Sequence, residues 1–155
     1  MAEVLRLGDP DAGELLTLQR AAYVTEAQAH HDLDLPPLSE SLEQLAAVLR
    51  DPGCFAWGIR ESGRLVAAVR ILVRGSEAQV GRLVVAPDQQ RRGLGRALLL
   101  AAEARLPETI TRLSLFTGEH STGPLRLYPA LGYRETHRTP EHDYQLVHFE
   151  KRIAR

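Results

Sequence analysis

Cysteine and lysine are nearly absent from this chain: one of each occurs among its 155 residues, Cys54 and Lys151. A single cysteine excludes an intrachain disulfide and favours a reducing compartment. Cys54 has no basic sequence neighbour to activate its thiol, so a covalent acyl-enzyme is not expected. Arginine stands where lysine would otherwise be used, a bias that GC-rich codon usage produces by itself. Net charge is lacking too, since 19 Lys and Arg against 20 Asp and Glu leave −1. That gives no global attraction to nucleic acid or to an anionic membrane. No apolar run approaches membrane-spanning length, and Met1-Ala2-Glu3 carries no basic-then-apolar targeting pattern. The expectation is a cytoplasmic protein with neither nucleic acid nor membrane as partner. Metal-ligand spacings are missing: there is no His-Glu-x-x-His, adjacent His30 and His31 point apart, and His142 and His148 stand alone. No metal is expected. There is also no Gly-x-Ser-x-Gly elbow, internal repeat or linker.

What is present is an ordinary globular composition, 44% hydrophobic and 25% charged, read as one domain over residues 1–155. Val4–Leu7 alternates like a short strand, and Leu15, Leu16, Leu18, Ala21, Ala22 and Tyr23 fall at helical spacing. The acidic, histidine-containing stretch from Ala27 is expected to lose its helix at Pro36-Pro37. Ser39 and Ser41 can cap a helix carrying Leu42, Leu45, Ala46, Val48 and Leu49. Phe55–Arg60 and Arg64–Val73 flank Glu61-Ser62-Gly63 as a hairpin, and a further strand covers Gln79–Val85. A helix follows from Gly93 to about Leu106, then a strand at Leu113–Thr117 and a helix at Pro124–Leu131. Two final strands, Tyr133–Arg138 and Tyr144–Lys151, are joined by the His137–His142 stretch.

The segment Leu83-Val84-Val85-Ala86-Pro87-Asp88-Gln89-Gln90-Arg91-Arg92-Gly93-Leu94-Gly95-Arg96 carries the most chemistry. It runs from a buried strand through a polar turn into an apolar helix. The first N–H groups of a helix lack intrahelical acceptors, and the macrodipole makes that end partly positive. Gly93 and Gly95 let ligand oxygens approach those groups, and Arg91, Arg92 and Arg96 add charge. Such a junction cradles phosphate. A P-loop would need Lys-Ser/Thr where Arg96-Ala97 stands, and a dinucleotide fingerprint would need a small residue at Leu98.

Gln90-Arg91-Arg92-Gly93-Leu94-Gly95 does resemble the Gln/Arg-x-x-Gly-x-Gly/Ala loop of the GCN5-related N-acetyltransferases. Downstream, Leu127-Tyr128-Pro129-Ala130-Leu131-Gly132-Tyr133 resembles that superfamily's second signature, Leu-Tyr-x-x-x-Gly-Phe. The two stand in the right order, separated by one helix and one strand, and together cover about the C-terminal half of the chain.

The resemblance implies an acyl-CoA N-acyltransferase fold, an α/β architecture with a mixed, mainly antiparallel central sheet flanked by helices. It implies acetyl-CoA as co-substrate, with the strands at Leu83–Val85 and Leu113–Thr117 splayed apart. Leu83, Val84 and Val85 would then hold pantetheine through their main chain, and Arg91, Arg92, Gly93, Leu94, Gly95 and Arg96 the pyrophosphate. Tyr128 matches the tyrosine that protonates the CoA sulfur in many relatives.

The sequence departs from the family pattern in three places. Gln79 stands where relatives often carry a Glu base, leaving Glu77 as a fallback. Ser121 and Pro124 replace a common Asn, and Pro129 is expected to kink the helix of Tyr128. The leading function is direct acetyl transfer to a primary amine of a small molecule. Protein N-terminal or lysine acetylation is a second enzyme reading, and a non-catalytic acyl-CoA-binding regulatory module a third. The partners are acetyl-CoA and an amine acceptor, with a homodimer left open. Glu26, Asp32, Asp34, Glu40 and Glu43 make Tyr23–Glu43 acidic, which would suit a cationic amine.

Overall fold

A computed structural model describes residues 3–154. Met1 and Ala2, which belong to the targeting argument above, and Arg155 lie outside the described residues. Strands β1 (Glu3–Leu7), β2 (Cys54–Glu61), β3 (Arg64–Arg74), β4 (Glu77–Val85), β5 (Arg112–Gly118), β6 (Arg134–Glu141) and β7 (Tyr144–Arg152) form one sheet. Its order is β1-β2-β3-β4-β5-β7-β6. Every neighbouring pair is antiparallel except β4 and β5.

Helices cover both faces. On one side α1 (Ala12–His30) and α3 (Leu42–Arg50) pack Leu15, Leu16, Leu18, Leu45 and Leu49 against Leu7, Ala56, Leu65 and Val84. On the other, α4 (Leu94–Ala104) and α5 (Thr122–Ala130) join Leu98, Leu99, Ala102 and Tyr128 to Val69, Ile71, Val80, Leu113 and Phe149. Ser41 caps α3 by accepting from the Gln44 N–H, and the Gln44 side chain accepts from the Ser41 N–H in return. This capping box is the local reason that the helix starts there.

Three local expectations need correcting. Helix α1 runs past Tyr23 to His30 and stops at His31, which is left-handed with φ 50°. Pro36 and Pro37 begin a one-turn helix, α2 (Pro36–Ser39), because at the first helical positions proline loses no hydrogen bond. The stretch after His137 is strand as far as Glu141, so β6 and β7 are joined by a tight turn at His142-Asp143, not by a loop.

Two irregularities of β4 shape the centre of the sheet. Along an unbroken strand, residues four apart share a face, yet Val80 packs in the α4-side core and Val84 in the α1-side core. The extra residue is at a bulge, where Arg82 has φ 53° and the register against β3 shifts between Ala68 and Arg70. The second irregularity is the pairing of β4 with β5. It covers only Glu77↔Arg112, Ala78↔Leu113 and Gln79↔Ser114, while β4 continues to Val85 and β5 to Gly118. Their outer edges stay paired, β4 to β3 and β5 to β7. The two inner edges therefore part and leave a wedge of unpaired backbone in the middle of the sheet.

Candidate active site

The wedge opens toward the start of α4. Arg91 (φ 66°) and Gly93 (φ 75°) are both left-handed, which turns successive N–H groups into a concave nest. The helix closes its first bond from the Ala97 N–H to the Gly93 carbonyl at 3.0 Å. The N–H groups of Leu94, Gly95 and Arg96 precede that bond and take no helical acceptor. Leu94 is buried and anchors the turn through its side chain, so its contribution to an anion site is its N–H.

A Cβ built on Gly95 would meet Val85 Cγ2 at 3.7 Å and Leu127 Cδ2 at 3.9 Å, ordinary contact distances. The fold by itself does not require glycine there. A methyl group would instead take space between β4 and α5, at the mouth of the wedge. This is the arrangement expected for a cradle that receives a diphosphate with an amide-rich chain threaded behind it, and the residues present fit CoA in this way.

The three arginines differ. Arg92 is clamped to Glu61 by two hydrogen bonds of 2.7 and 2.8 Å. Arg91 and Arg96 are exposed and have no ion-pair partner among the described residues. The strand residues behave as ordinary side chains: Val84 is buried on the α1 side, and Leu83 and Val85 lean on the α4-side core with Leu125 and Leu127.

Tyr128 follows Leu127 on α5, the residue whose side chain comes nearest to Gly95 from that helix. Ser121 precedes α5 and accepts the first helical bond from the Leu125 N–H at 3.0 Å. Pro124 therefore lies in the first turn, where its missing donor costs nothing. Pro129 is the penultimate residue of the helix, so it removes one bond at the end instead of kinking the middle. The Tyr128 ring packs 5.8 Å from Tyr133 and 5.9 Å from Phe149. Burial, reinforced by nearby Tyr23 and the Glu26 carboxylate, pushes its hydroxyl well above the usual phenol value. It stays protonated, and among the described residues it makes no hydrogen bond.

The candidate bases on β4 fall away. Gln79 is exposed at the last paired position, and Glu77 is ion-paired with Arg112 beyond the closed end of the wedge. Glu26 is the carboxylate that comes near Tyr128, accepting a hydrogen bond from Ser121 across 95 positions of sequence. Periodicity could not flag it.

The acidic stretch is not a free anionic surface. Asp32 accepts from the Tyr144 hydroxyl at 2.6 Å and from the Asp34 N–H at 2.9 Å. Glu40 takes hydrogen bonds from Arg70 at 2.8 and 3.1 Å and from Gln19 at 3.0 Å. These carboxylates hold the fold, and the expected cationic-amine surface is reduced to Glu43 and Asp34. His120 is tied through its N–H to His30 Nε2 at 3.0 Å. Cys54 is buried, and burial raises its thiol pKa. Among the described residues no group of three His, Cys, Asp or Glu gathers as a metal site, and no helix is long and apolar enough to cross a membrane.

Comparison with known proteins meets this geometry. Residues 14–133 match the family described as the acetyltransferase (GNAT) family. The chain is 30% identical over 124 residues to UPF0157 protein YqkA of Bacillus subtilis (strain 168), covering 80% of this chain and 35% of that protein. It thus spans about a third of that curated relative. Among solved structures, the PaiA N-acetyltransferase of Thermoplasma acidophilum in complex with coenzyme A superposes with a TM-score of 0.84 at 17% identity, covering 99% of both chains. The ribosomal-protein-S18-alanine N-acetyltransferase of Escherichia coli gives 0.79 at 22% identity, over 100% of this chain and 96% of that one. The wedge, the nest and the matched residues agree, and the chain belongs to the GNAT acetyltransferase family.

Proposed function

We propose that this protein transfers an acetyl group from acetyl-CoA directly to a primary amine of a small molecule. The carrying observation is the wedge between β4 and β5 that leads into the nest at Arg91–Arg96. An unpaired backbone edge is costly to leave bare and well suited to amide groups of a ligand, while the nest suits a diphosphate. In this reading the amine nitrogen attacks the thioester carbonyl, a C–N bond forms, the C–S bond breaks, and the proton released from the amine passes to solvent, from which Tyr128 regains its own. Tyr128 is our choice for the group that gives its proton to the departing sulfur, on the strength of its place in the Leu127–Tyr133 motif and because burial keeps its hydroxyl protonated. No side chain of β4 is assigned as base, because Gln79 does not ionise usefully and Glu77 is held by Arg112.

The small-molecule reading is supported by a shallow, open depression of about 430 Å³ lined by Pro36, Ser39, Glu40, Gln44 and Arg82. The test is calorimetry with CoA, followed by thiol release from acetyl-CoA across a panel of amines. CoA binding with amine-dependent thiol release is expected. CoA binding with no amine-dependent release would leave only a binding module, and absence of CoA binding would remove the reading altogether.

A further inference from the structure

The α1-side face of the sheet centre holds the guanidinium groups of Arg70 and Arg82 and the carboxylate of Glu40, with Glu26 also acting on Tyr23 from α1. Arg70 on β3 is buried and bonds Glu40 through both terminal nitrogens and Gln19 through one. Both Glu40 oxygens are thereby used, one of them also by Gln19. Arg82 comes from the bulge of β4, directly beside Leu83 at the inner edge of the wedge. Its Nε, like that of Arg70, is buried without a hydrogen-bond partner, but unlike Arg70 its guanidinium has no ion-pair partner among the described residues. Tyr23 does not neutralise it, since burial pushes that hydroxyl up to about 12 and keeps it protonated. Burial, with the Arg70 charge added, works against Arg82 itself, and the Glu40 carboxylate offsets only part of this. A lone guanidinium in this setting is expensive to maintain. Its backbone is also unusual, with a non-glycine residue held at positive φ, which persists where the surroundings over-determine it. The side chain lines the open depression with Pro36, Ser39, Glu40 and Gln44.

We infer that Arg82 reads an anionic group on the amine acceptor, so that the acceptor is a small amine bearing a carboxylate or phosphate, such as an amino acid. This rests on the acetyl-transfer reading and reverses the charge expected from the acidic sequence around it. Arg70 and Glu40 cancel, and the depression is left with the one positive charge of Arg82. Because Arg82 adjoins the β4 edge proposed to hold the thioester arm, an acid group bound there would leave the amine of the same molecule close to the acyl carbon. A guanidinium also offers paired donors that match a carboxylate or a phosphate.

The test compares matched amines on the full chain with acetyl-CoA: phenylalanine with phenethylamine for the carboxylate, phosphoethanolamine with ethanolamine for the phosphate. The wild type should favour the acid-bearing member of at least one pair by roughly 10- to 100-fold in kcat/KM, the scale of a charged hydrogen bond. Arg82→Gln should collapse that ratio toward one, and Arg82→Lys should restore part of it. Calorimetry of N-acetylphenylalanine against N-acetylphenethylamine, and of the acetylated phosphate pair, on the CoA-bound protein provides a reading independent of turnover. Preference in binding without any turnover would sink the acetyl-transfer reading, and with it the role of Arg82 toward an acceptor. Equal binding and rates within both pairs for the wild type would overturn the role of Arg82 alone. So would an Arg82→Gln variant that melts normally and keeps its ratio, or that loses both members of a pair equally.

Discussion

The imidazole of His30 fills the space that a side chain on Gly118 would need: a Cβ built on Gly118 would collide with Nε2 and Cε1 of the ring. The ring cannot step aside cheaply. Its Nδ1 donates to the Glu26 carbonyl at 2.9 Å, and its Nε2 accepts from the His120 N–H at 3.0 Å. Glycine at the end of β5 thus lets α1 clasp the turn that launches α5, and so fixes where Tyr128 emerges. Gly118→Ala should destabilise by about 1–3 kcal/mol, the usual cost of overpacking a closed site. Adding His30→Ala should recover part of that loss, because neighbouring substitutions couple. Thermal melts of the three variants decide it, and strictly additive losses would show that the two residues do not share this space.

Gly95 makes the opposite prediction. Alanine there meets Val85 and Leu127 at ordinary distances, and alanine is favoured over glycine in helices. Gly95→Ala should melt at or above the wild-type temperature yet bind CoA at least about tenfold more weakly, since the methyl occupies the mouth of the wedge. Calorimetry and melting together check it. Unchanged affinity would place the ligand path elsewhere.

Tyr128→Phe keeps the packing against Tyr133 and Phe149 and removes the proton. Turnover should fall by roughly 100-fold or more, the scale of general acid catalysis, with CoA affinity unchanged. The raised hydroxyl pKa implies that no fall in activity up to about pH 10, the usual phenol value, comes from this group. A variant turning over within twofold of wild type would make Tyr128 a packing residue.

Glu40 links stability to pH. Burial presses its carboxyl up, but hydrogen bonds from Arg70 and Gln19 outweigh that and hold it below the usual carboxylate range. A carboxylate depressed on folding contributes stability above its unfolded value, about pH 4.3. That contribution is lost as pH falls through the lower folded value. Glu40→Gln should therefore flatten the acid-unfolding profile below about pH 4.3. At neutral pH it should cost about 3–5 kcal/mol, because Arg70 is left buried and unpaired. Equal acid midpoints for the two proteins would refute the linkage.

These cases show which parts of the site can be read from sequence. The nest was legible because its requirements lie within six positions: glycines at Gly93 and Gly95, arginines around them, and an apolar helix after. The place of Tyr128 on the helix after β5 follows from an equally local motif, while its role in catalysis is a proposal. The carboxylates of the acidic stretch were misjudged because their partners, Arg70 for Glu40, Tyr144 for Asp32 and Ser121 for Glu26, come from distant strands and loops. Composition sees charge and cannot see pairing. Arg82 was passed over for a different reason. Its orientation depends on a bulge that exists only in the register of β4 against β3, and no residue pattern marks it. Pro36-Pro37 was read as a stop because proline ends helices, although the same ring geometry also begins them.

The cradle arginines should rank unequally. Glu61 already neutralises Arg92 through its two hydrogen bonds and keeps its own carboxyl below the usual range by that contact. A phosphate arriving at the nest must share Arg92 with Glu61 or displace it, whereas Arg91 and Arg96 are exposed and ready. Arg91→Gln and Arg96→Gln should each weaken CoA binding several-fold and reduce its salt dependence, the signature of lost phosphate contacts. Arg92→Gln should cost less than either. Glu61→Gln should tighten CoA binding and steepen its salt dependence, because a full guanidinium charge is returned to the nest. Calorimetric titrations at low and high salt give all four values. If Arg92→Gln proves the most damaging, the Glu61 clamp opens on binding and Arg92 is the main phosphate ligand.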